Sequence, residues 1–309
     1  MATTERWTTA DMPDLTGRRA IVTGANSGLG LVTAQALAEH GAQVTMAVRD
    51  VAKGRAAAAT ITKNPPQVMA LDLADLASIR AFCDAWSQAN PEGLDLLINN
   101  AGIMAIPRKT TVDGFEMQLA TNHLGHFALT GLLMPALMAI PHSRVVTVSS
   151  QAHRMGRINF DDLQGTKSYG AWRAYGQSKL ANLLFTSELQ RRLDRLGVPM
   201  LSLAAHPGFA ATNLQQAGPA MRGRKLQARI TTAMSKVMAQ SAQMGALPTL
   251  FAATAPGIPG DSYIGPDGFG EQRGYPRIVD RSASAKNESD AKRLWEESEV
   301  LTGVIYPLR

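Results

Sequence analysis

Short apolar segments alternate along the chain with longer stretches rich in alanine and leucine. The apolar segments are rich in β-branched residues and the stretches between them have helical length. The predicted strands are residues 20–22, 44–48, 68–71, 94–98, 145–148, 200–204 and 263–264. Strands that alternate with helices are typical of a parallel sheet with helices on both faces. The pattern therefore predicts an α/β fold built on a doubly wound, seven-stranded parallel sheet.

No change in composition divides the 309 residues, so we expect a single domain with a core over about residues 15–268. Residues 210–241 have the composition of a loop followed by a helix, and we expect them to close over a substrate as a lid. Proline and glycine clusters after position 255 indicate the end of the regular alternation. Residues 269–309 are predicted to be a polar tail with one short helix near 289–300.

The composition is that of a soluble globular protein, with 45% hydrophobic and 18% charged residues. The single cysteine, Cys83, excludes an internal disulfide framework and fits a helix core. The sequence shows no signal-peptide pattern and no apolar run of the roughly 20 residues that a membrane span takes. We therefore expect a cytoplasmic protein with no integral membrane segment.

The net charge of +6 arises from one part of the chain, because residues 195–260 contain six basic residues and no acidic one. Nucleic-acid binding is disfavoured, because no aromatic residues interleave with the basic ones and no recognition motif is present. A cationic lid, an oligomer face and a solvated surface are the favoured interpretations. Contact with a membrane surface or an acidic substrate also stays open.

A glycine-rich loop follows the first predicted strand and precedes the first predicted helix. It reads Thr23-Gly24-Ala25-Asn26-Ser27-Gly28-Leu29-Gly30. Its glycines let the backbone turn tightly and approach a pyrophosphate, which would lie against the amide groups at the start of the helix. The loop predicts a dinucleotide site formed by Gly24, Asn26, Ser27, Gly28, Leu29 and Gly30.

The end of the second strand indicates which dinucleotide is bound. An NAD enzyme normally has a carboxylate there for the ribose 2′-hydroxyl, but this chain has Val48 followed by Arg49. A guanidinium suits a 2′-phosphate, so we predict NADP(H), with NAD(H) as the alternative. A shift of one residue would make Asp50 the ribose acceptor. We interpret Asp50 instead as the cap of the next helix.

Two further strand ends supply candidate cofactor contacts. Asp72 could accept a hydrogen bond from the adenine amino group, and Leu73 could contribute its backbone amide. Helix capping near this position is the alternative for the neighbouring Asp75. The run Asn99-Asn100-Ala101-Gly102 ends the fourth strand with small residues that leave room for the ribose and nicotinamide. Its candidate contacts are Asn99, Ala101 and Gly102.

Tyr175 and Lys179 lie four residues apart in a predicted helix and so share one face. A free phenol has a pKa of about 10, and a nearby ammonium favours the phenolate form. We therefore expect Lys179 to lower the pKa of Tyr175 and make it an acid/base group. The fifth strand ends in Ser149-Ser150, whose side chains point to opposite faces, and one of these hydroxyls could hold a carbonyl oxygen.

Taken together, these motifs closely resemble the short-chain dehydrogenase/reductase family, and within it the retinol-dehydrogenase-like members. The resemblance rests on the glycine loop, Asn99-Asn100-Ala101-Gly102, Asn122, Ser150, Tyr175-x-x-x-Lys179 and His206-Pro207-Gly208, with Val148-Ser149-Ser150-Gln151-Ala152-His153 and Ser178-Lys179-Leu180-Ala181-Asn182-Leu183-Leu184-Phe185 for the closer likeness. It implies a Rossmann-type sheet with strand order 3-2-1-4-5-6-7.

The resemblance also implies roles for individual residues. Tyr175 would be the acid/base, Lys179 would also bind the nicotinamide ribose, and Ser150 would orient the carbonyl oxygen. Asn122 would hold a water molecule that links Lys179 to solvent. The contacts implied for the carboxamide end of the nicotinamide are Pro207, Gly208 and Thr212. In this chain 24 residues separate Ser150 from Tyr175, about twice the spacing of many members, and we expect them to shape the substrate entrance.

The predicted function is hydride transfer between NADP(H) and an alcohol/carbonyl pair on an apolar small molecule such as a retinoid, a steroid or a lipid aldehyde. The alternatives are a non-catalytic NADP-binding sensor or scaffold, and a transferase on a nucleotide-binding fold. We expect no metal, because His123 and His126 lack further ligands at matched spacing, and His153 is expected to bond within its loop. Family members usually form homo-oligomers through helices near 114–137 and 175–196. Because of the polar tail, a monomer is the alternative.

Overall fold

The computed structural model describes residues 6–209 and 240–308. Their strands form one sheet in the order β3-β2-β1-β4-β5-β6-β7-β8. The strands are β1 Arg19–Thr23, β2 Gln43–Val48, β3 Gln67–Ala70, β4 Leu96–Asn99, β5 Arg144–Val148, β6 Leu201–Ala205, β7 Tyr263–Pro266 and β8 Pro276–Ile278. Neighbours from β3 to β7 pair in parallel, and β8 pairs antiparallel with β7. The predicted doubly wound sheet and its strand order are confirmed.

Strand β8 is the one addition to the predicted sheet, and it arises from the segment predicted as a polar tail. It has three residues, begins with Pro276 and exposes Arg277 and Ile278. Proline lacks the N–H that a central strand needs, so its presence is typical of a sheet edge. A segment this short and polar has no periodic pattern, which is why the sequence did not indicate a strand.

Helices cover both faces of the sheet. They are α1 Gly28–Glu39, α2 Val51–Ala58, α3 Leu76–Ala89, α4 Met117–Leu119, α5 Gly125–Leu132, α6 Met134–Met138, α7 Ala171–Arg195, α8 Ala242–Thr254 and α9 Glu288–Thr302. Residues Ala120–Leu124, between α4 and α5, form a π-helical turn. Such turns insert an extra residue into a helix and are frequent at functional sites.

The central strands separate two apolar layers. Leu97 and Val145 pack with Phe127 and Leu189 on one face of the sheet. Their neighbours in sequence, Ile98 and Val146, pack with α1 and α8 on the other face. Successive side chains of a strand point to opposite faces, so a strand buried on both sides must be apolar throughout. This explains the uninterrupted apolar runs in the sequence.

The helix predicted near 289–300 is α9, and it is packed rather than free. Trp295 is 2% exposed and lies against Phe127, Phe185 and Tyr306, at ring-centroid distances of 5.1, 5.8 and 4.4 Å. The hydroxyl of Tyr306 donates a hydrogen bond to the carbonyl of Phe127 over 2.6 Å. The segment from α9 onward therefore completes the helical layer that contains α5 and α7.

The fold brings the carboxyl ends of β1, β4, β5 and β6 to one edge of the sheet. The strand order reverses between β1 and β4, and ligands of open α/β sheets bind at such a switch point. Within residues 6–209 and 240–308, no helix combines the length and apolarity needed to cross a membrane.

Candidate active site

The glycine loop forms a tight turn between β1 and α1. Gly24 and Gly28 have φ values of 65° and 57°, in the left-handed region that favours glycine. A Cβ on Gly30 would lie 2.6 Å from the carbonyl oxygen of Gly24, so the helix and loop approach closely. Ser27 makes no side-chain cap to α1, which leaves the amides of the first turn to a ligand. This arrangement fits a bound pyrophosphate.

At the end of β2, Arg49 and Asp50 differ in their surroundings. Asp50 accepts a hydrogen bond from the backbone N–H of Lys53 over 3.0 Å and pairs with the Lys53 ammonium at 3.1 Å. It therefore caps α2, as the sequence suggested. Arg49 is exposed, and within the described residues its guanidinium makes no ion pair. It is thus placed to meet a ligand phosphate.

The end of β3 supplies the adenine-side candidates. Asp72 is partly exposed, and its carboxylate accepts a hydrogen bond from the N–H of Ala74 over 2.9 Å. Asp75 caps α3 by accepting from the N–H groups of Ala77 and Ser78. Leu73 is 6% exposed, and its carbonyl packs against Gly125 at the start of α5. Asp72 retains one carboxylate oxygen that forms no hydrogen bond within the described chain.

The turn after β4 places its two asparagines differently. The side-chain amide of Asn99 donates into the protein interior, to Thr130 over 3.0 Å, so Asn99 can meet a cofactor only through its backbone. The amide of Asn100 instead donates to the carbonyl of Thr23 over 2.7 Å and fastens this turn to the glycine loop. Gly102 adjoins the site, because a Cβ there would lie 3.2 Å from the side-chain oxygen of Asn122 and 3.4 Å from Nζ of Lys179.

Tyr175 and Lys179 lie on one face of α7, turned toward the end of β5. Both are buried, with 4% and 3% exposure, and Nζ of Lys179 lies 5.9 Å from the centre of the Tyr175 ring. Ser150 begins the turn after β5, and its hydroxyl accepts a hydrogen bond from the N–H of Ala152 over 3.2 Å. The Ser150 hydroxyl also hydrogen-bonds the Tyr175 phenol, so both groups adjoin the place where a substrate oxygen could bind.

Ser149, the other serine of the pair, points away from this site. It is 2% exposed, and its hydroxyl donates to the carbonyl of Lys179 over 2.7 Å. This hydrogen bond joins the end of β5 to α7. Ser149 therefore has a structural partner, and Ser150 is the serine that faces Tyr175.

Burial controls the protonation of the Tyr175 and Lys179 pair. It raises the pKa of Tyr175 to about 12, although hydrogen bonding by Ser150 opposes the change. It also lowers the pKa of Lys179 to about 8. The sequence led us to expect a Tyr175 pKa below its ordinary value. The pKa is higher instead, because the loss of water around a buried phenol destabilises its charged form.

Asn122 lies in the π-helical turn and joins three parts of the site. Its side-chain carbonyl accepts from the N–H of Ile103 over 2.8 Å, and its amide donates to the carbonyl of Ile103 over 3.0 Å. The same amide lies 2.9 Å from the hydroxyl of Ser178. The Asn122 side chain is therefore held between the turn after β4 and the helix that carries Tyr175.

The turn after β6 contains Pro207 and Gly208. Gly208 has φ 63°, and a Cβ there would meet the carbonyl oxygen of Gln272 at 2.4 Å. The Nε2 atom of the buried His206 lies 3.1 Å from the carboxylate of Glu271, which also pairs with Arg154 at 3.4 Å. Glu271 thus joins the turn after β6 to the segment that follows Ser150. Thr212, expected to contact the nicotinamide, lies outside the described residues, as does nearly all of the expected lid 210–241.

Residues 151–174 are fixed to the protein by polar side chains. Gln177 accepts from the N–H of Asn159 over 2.9 Å and donates to the carbonyl of Leu163 over 3.0 Å. The hydroxyl of Tyr169 lies 2.9 Å from the carbonyl of Ile106 and 3.1 Å from the buried carboxylate of Glu116. The segment is therefore an ordered wall beside Ser150 and Tyr175.

Large apolar side chains are exposed on the segments that adjoin Ser150 and Tyr175. They are Met155, Trp172, Phe209 and Phe269, with exposures of 64, 51, 39 and 98%. The ring of Trp172 lies one helical turn before Tyr175, edge-on to it, with centroids 6.1 Å apart. An exposed aromatic ring in contact with Tyr175 is suited to meet an apolar substrate.

The three histidines singled out in the sequence are all buried. His123 bonds Ser298 of α9 at 3.0 Å, and His153 bonds the carbonyl of Ser150 at 2.7 Å and the N–H of Ser282 at 3.2 Å. His126 hydrogen-bonds Thr23 and the carbonyl of Asn122. In the described part of the chain, no three histidine, cysteine, aspartate or glutamate side chains are grouped as metal ligands would be.

Several residues of the site were not identified from the sequence. Asn182 lies one turn beyond Lys179, and its amide donates to the carbonyl of Val148 over 3.1 Å, the same oxygen that Lys179 contacts. The spacing of three from Lys179 could have revealed Asn182. Glu271 gave no such signal, because it reaches His206 from a loop 65 residues further along the chain.

Comparison with known proteins assigns the family. The short chain dehydrogenase family profile matches residues 18–223. Human retinol dehydrogenase 11 is 42% identical over 294 residues, covering 94% of this chain and 87% of that protein. Human retinol dehydrogenase 14 is 40% identical over 306 residues, with the same coverage. An uncharacterized protein from Mycobacterium paratuberculosis is 50% identical in its crystal structure, with a TM-score of 0.82 over 98% of this chain and all of that chain.

The chain belongs to the short-chain dehydrogenase family and resembles its retinol dehydrogenases. As a member it is an oxidoreductase that acts on the CH–OH group of its substrate with a nicotinamide dinucleotide. A second structural neighbour, the Pseudomonas aeruginosa RhlG/NADP complex, is 24% identical, with a TM-score of 0.61 over 81% of this chain and 94% of that chain, and supports the fold.

Proposed function

We propose that the chain catalyses the NADP(H)-dependent interconversion of an alcohol and a carbonyl on an apolar substrate, with Tyr175 as the acid/base group. The convergence of Ser150, Tyr175 and Lys179 beside the glycine loop carries the proposal. These side chains come from the end of β5 and from α7, and Asn122 meets them from the π-helical turn. This arrangement suits proton transfer to an oxygen atom held at one fixed place.

Each residue has a task set by its own contacts. Ser150 donates its hydroxyl proton to the substrate oxygen, in place of the hydrogen bond that it makes to Tyr175. Tyr175 gives a proton to that oxygen during reduction, and its raised pKa keeps this proton available at neutral pH. Lys179 stabilises the phenolate that remains, because its ammonium is one helical turn away. The bound nicotinamide supplies or accepts the hydride.

The route by which Tyr175 regains its proton runs toward Asn122. The hydroxyl of Ser178 donates to the carbonyl of Tyr175 over 2.8 Å and lies beside the Asn122 amide. Gly102 leaves space next to both Asn122 and Lys179, since a Cβ there would lie 3.2 Å from the Asn122 carbonyl oxygen. We propose that this space holds the water that links Lys179 to solvent.

The preference for NADP(H) over NAD(H) rests on the end of β2. Arg49 is exposed there, while Asp50 is engaged as the cap of α2. A guanidinium forms paired hydrogen bonds with a phosphate, whereas a ribose 2′-hydroxyl calls for a carboxylate. The solved complex of Pseudomonas aeruginosa RhlG contains NADP, which agrees with this preference. The remaining cofactor contacts are those proposed from the sequence, with Asn99 acting through its backbone.

The apolar substrate is supported by the exposed rings and methionine around the site. Trp172 stands next to Tyr175, and Met155 and Phe209 lie on the turns after β5 and β6. The related retinol dehydrogenases are named for an apolar alcohol. A retinoid, a steroid or a lipid aldehyde would each present a reactive oxygen at the end of an apolar body.

We propose that the protein works as a monomer. The helix faces through which related enzymes usually associate are here covered by the chain itself. Every residue of α5 except Leu132 is buried, and α9 packs against α7 through Leu294 and Trp295. A face already covered by α9 is closed to a second copy.

The test is a reductase assay that follows the absorbance of NADPH with a panel of aldehydes and ketones, alongside NADH. We expect turnover of apolar carbonyls with NADPH that is lost in Tyr175→Phe, while NADPH binding persists in that variant. NADPH binding without turnover of any carbonyl would favour the non-catalytic sensor or scaffold. Stabilisation by S-adenosylmethionine and not by NADPH would favour the transferase.

A further inference from the structure

His126 has contacts that ordinary core packing does not require. It lies at the start of α5, directly after the π-helical turn, and is 1% exposed. Its Nδ1 atom is 3.0 Å from the carbonyl oxygen of Asn122, four residues earlier. Its Nε2 atom is 2.9 Å from the hydroxyl oxygen of Thr23, at the end of β1. One buried side chain thus contacts both the Asn122 turn and the strand that begins the glycine loop.

The protonation of His126 follows from these two partners. A backbone carbonyl accepts hydrogen bonds and never donates, so Nδ1 carries a proton and donates to Asn122. Burial lowers the pKa of His126 to about 4, and the ring is therefore neutral near pH 7. A neutral imidazole has one N–H, so Nε2 must accept, and the Thr23 hydroxyl donates to it.

The hydroxyl of Thr23 is then fully used. Its oxygen accepts from the backbone N–H groups of Asn100 and Ala101, each over 2.9 Å. Its proton has a second acceptor within reach, the carbonyl of Ile98, but that oxygen is farther away, at 3.3 Å. One donor and two acceptor positions are all that a hydroxyl has. These hydrogen bonds form a series that runs from the backbone N–H of Asn100 through Thr23 and His126 to the backbone carbonyl of Asn122. The donor and the acceptor of each bond in the series are thus determined.

We infer that His126 is a positioning residue that sets the Asn122 turn relative to the glycine loop and the turn after β4. The side chain of Asn122 hydrogen-bonds Ile103, and its backbone carbonyl hydrogen-bonds His126. These two contacts hold both the side chain and the backbone of Asn122 in the π-helical turn. The inference rests on the proposed function, since it assigns His126 to the support of that site. It extends that proposal by coupling cofactor binding to the orientation of Asn122.

The neighbouring His123 provides a matched control. It is also buried, at 2% exposed, in the same π-helical turn, and burial lowers its pKa to about 3. Its Nε2 atom contacts Ser298 of α9 over 3.0 Å. Replacing His123 therefore removes a buried imidazole of the same kind without touching Thr23 or the Asn122 carbonyl.

Two variants separate the two hydrogen bonds of His126. His126→Asn keeps an amide N–H near the Nδ1 position but removes the imidazole acceptor of Thr23, which leaves the more distant carbonyl of Ile98. His126→Gln places a carbonyl oxygen near the Nε2 position but removes the imidazole donor to the Asn122 carbonyl. We expect His126→Asn to raise the Kd for NADPH about tenfold, and His126→Gln to lower kcat about tenfold with a smaller change in Kd. His123→Asn should leave the Kd within about twofold.

The tautomer of His126 is tested without any activity. In a histidine-labelled ¹⁵N spectrum of the whole wild-type protein, the ring of His126, identified by its loss in His126→Asn, should be neutral with its proton on Nδ1. If the ring assigned in this way were protonated at pH 7, or carried its proton on Nε2, the arrangement would be overturned. Equal NADPH affinity and kcat in wild type and both folded His126 variants would overturn the positioning role. If wild-type protein bound neither NADPH nor NADH, the proposed function itself would fail.

Discussion

The Nζ atom of Lys179 donates a hydrogen bond over 2.9 Å to the backbone carbonyl of Val148, two residues before Ser150. This contact fixes the ammonium between the strand that delivers the serine and the helix that delivers Tyr175. Lys179 is 3% exposed, and burial lowers its pKa to about 8. The charge of Lys179 therefore changes close to physiological pH.

The first prediction concerns the pH dependence of reduction. Tyr175 stays protonated up to a pKa of about 12, whereas Lys179 loses its charge as the pH rises through about 8. The phenolate formed during turnover then lacks its stabilising ammonium, so kcat for carbonyl reduction should fall above about pH 8. A pH series of kcat with saturating substrate measures this limb. The arginine of Lys179→Arg stays charged, so any residual activity of this variant should not fall above about pH 8. A wild-type kcat that is constant up to about pH 9.5 would contradict the role assigned to Lys179.

The second prediction concerns acid stability. Burial lowers the pKa of His123 to about 3 and those of His126 and His153 to about 4, from an ordinary value of 6.5. Unfolded chains bind these protons below pH 6.5, but the folded protein does not until about pH 4. The free energy of unfolding therefore has its full value, as far as these histidines affect it, above pH 6.5. It decreases as the pH falls toward 4. Each histidine contributes about 1.4 kcal/mol per pH unit in that window.

Urea unfolding at several pH values between about 7 and 4.5 measures this dependence. His123→Gln removes one of the three protons taken up on unfolding. The slope of unfolding free energy against pH should therefore decrease by the contribution of one histidine, even if the variant is less stable overall. An unchanged slope would show that His123 is already protonated in the folded protein.

The third prediction concerns cofactor choice. Arg49→Ala should weaken NADPH binding roughly 10- to 100-fold, because charge-assisted hydrogen bonds to the 2′-phosphate are lost, and should change NADH binding little. Arg55→Ala is the matched control, since Arg55 is an exposed arginine on the neighbouring helix α2. Titration of both cofactors by fluorescence gives the Kd values. An equal loss of NADPH affinity in both variants would indicate a general effect of charge and not a specific contact.

The fourth prediction concerns Trp172, the ring beside Tyr175. The chain has four tryptophans, and Trp86 and Trp295 are buried. An apolar carbonyl that contacts Trp172 should quench its fluorescence, and this quenching should be absent in Trp172→Ala and present in Trp7→Phe. Loss of one aromatic contact should raise KM for that substrate about three- to tenfold with kcat less affected. Equal quenching in both variants would place the substrate elsewhere.

The fifth prediction concerns α9 and the oligomeric state. Light scattering after gel filtration should give the mass of one chain, 33.0 kDa. Trp295→Ala should lower the free energy of unfolding by about 3–5 kcal/mol, because it empties a site enclosed by Phe185, Tyr306 and the Arg192 guanidinium. A stable dimer of the wild-type protein would show that a surface other than the one covered by α9 associates.

The sequence predicted those parts of the site that depend on local pattern. Glycine spacing placed the loop after β1, and the carboxyl ends of parallel strands necessarily meet at one edge. The residues at the ends of β1, β4 and β5 were therefore expected to be neighbours. Likewise Tyr175 and Lys179 were expected on one face, since helical geometry fixes the relation between positions four residues apart.

The parts that the sequence did not predict depend on burial and on distant contacts. The pKa of Tyr175 was expected to be low from its neighbour Lys179, but the amount of water excluded from the phenol is a property of the folded site. Thr23 and His126 are separated by 103 positions, and no local pattern relates them. The orientation of Asn99 into the interior also depends on packing, because the paired asparagines look equivalent in the sequence.

The packing of residues 288–308 also bears on how the protein is made. A ribosome synthesises the glycine loop, the π-helical turn and α7 well before α9, so these elements emerge while Phe127 and Phe185 still lack their cover. Those rings stay exposed to water, or to chaperones, until Trp295 and Tyr306 arrive. The contact between His123 and Ser298 also has to wait for α9. The helical layer around α5 and α7 is therefore completed only after translation of this segment, and not progressively along with the sheet.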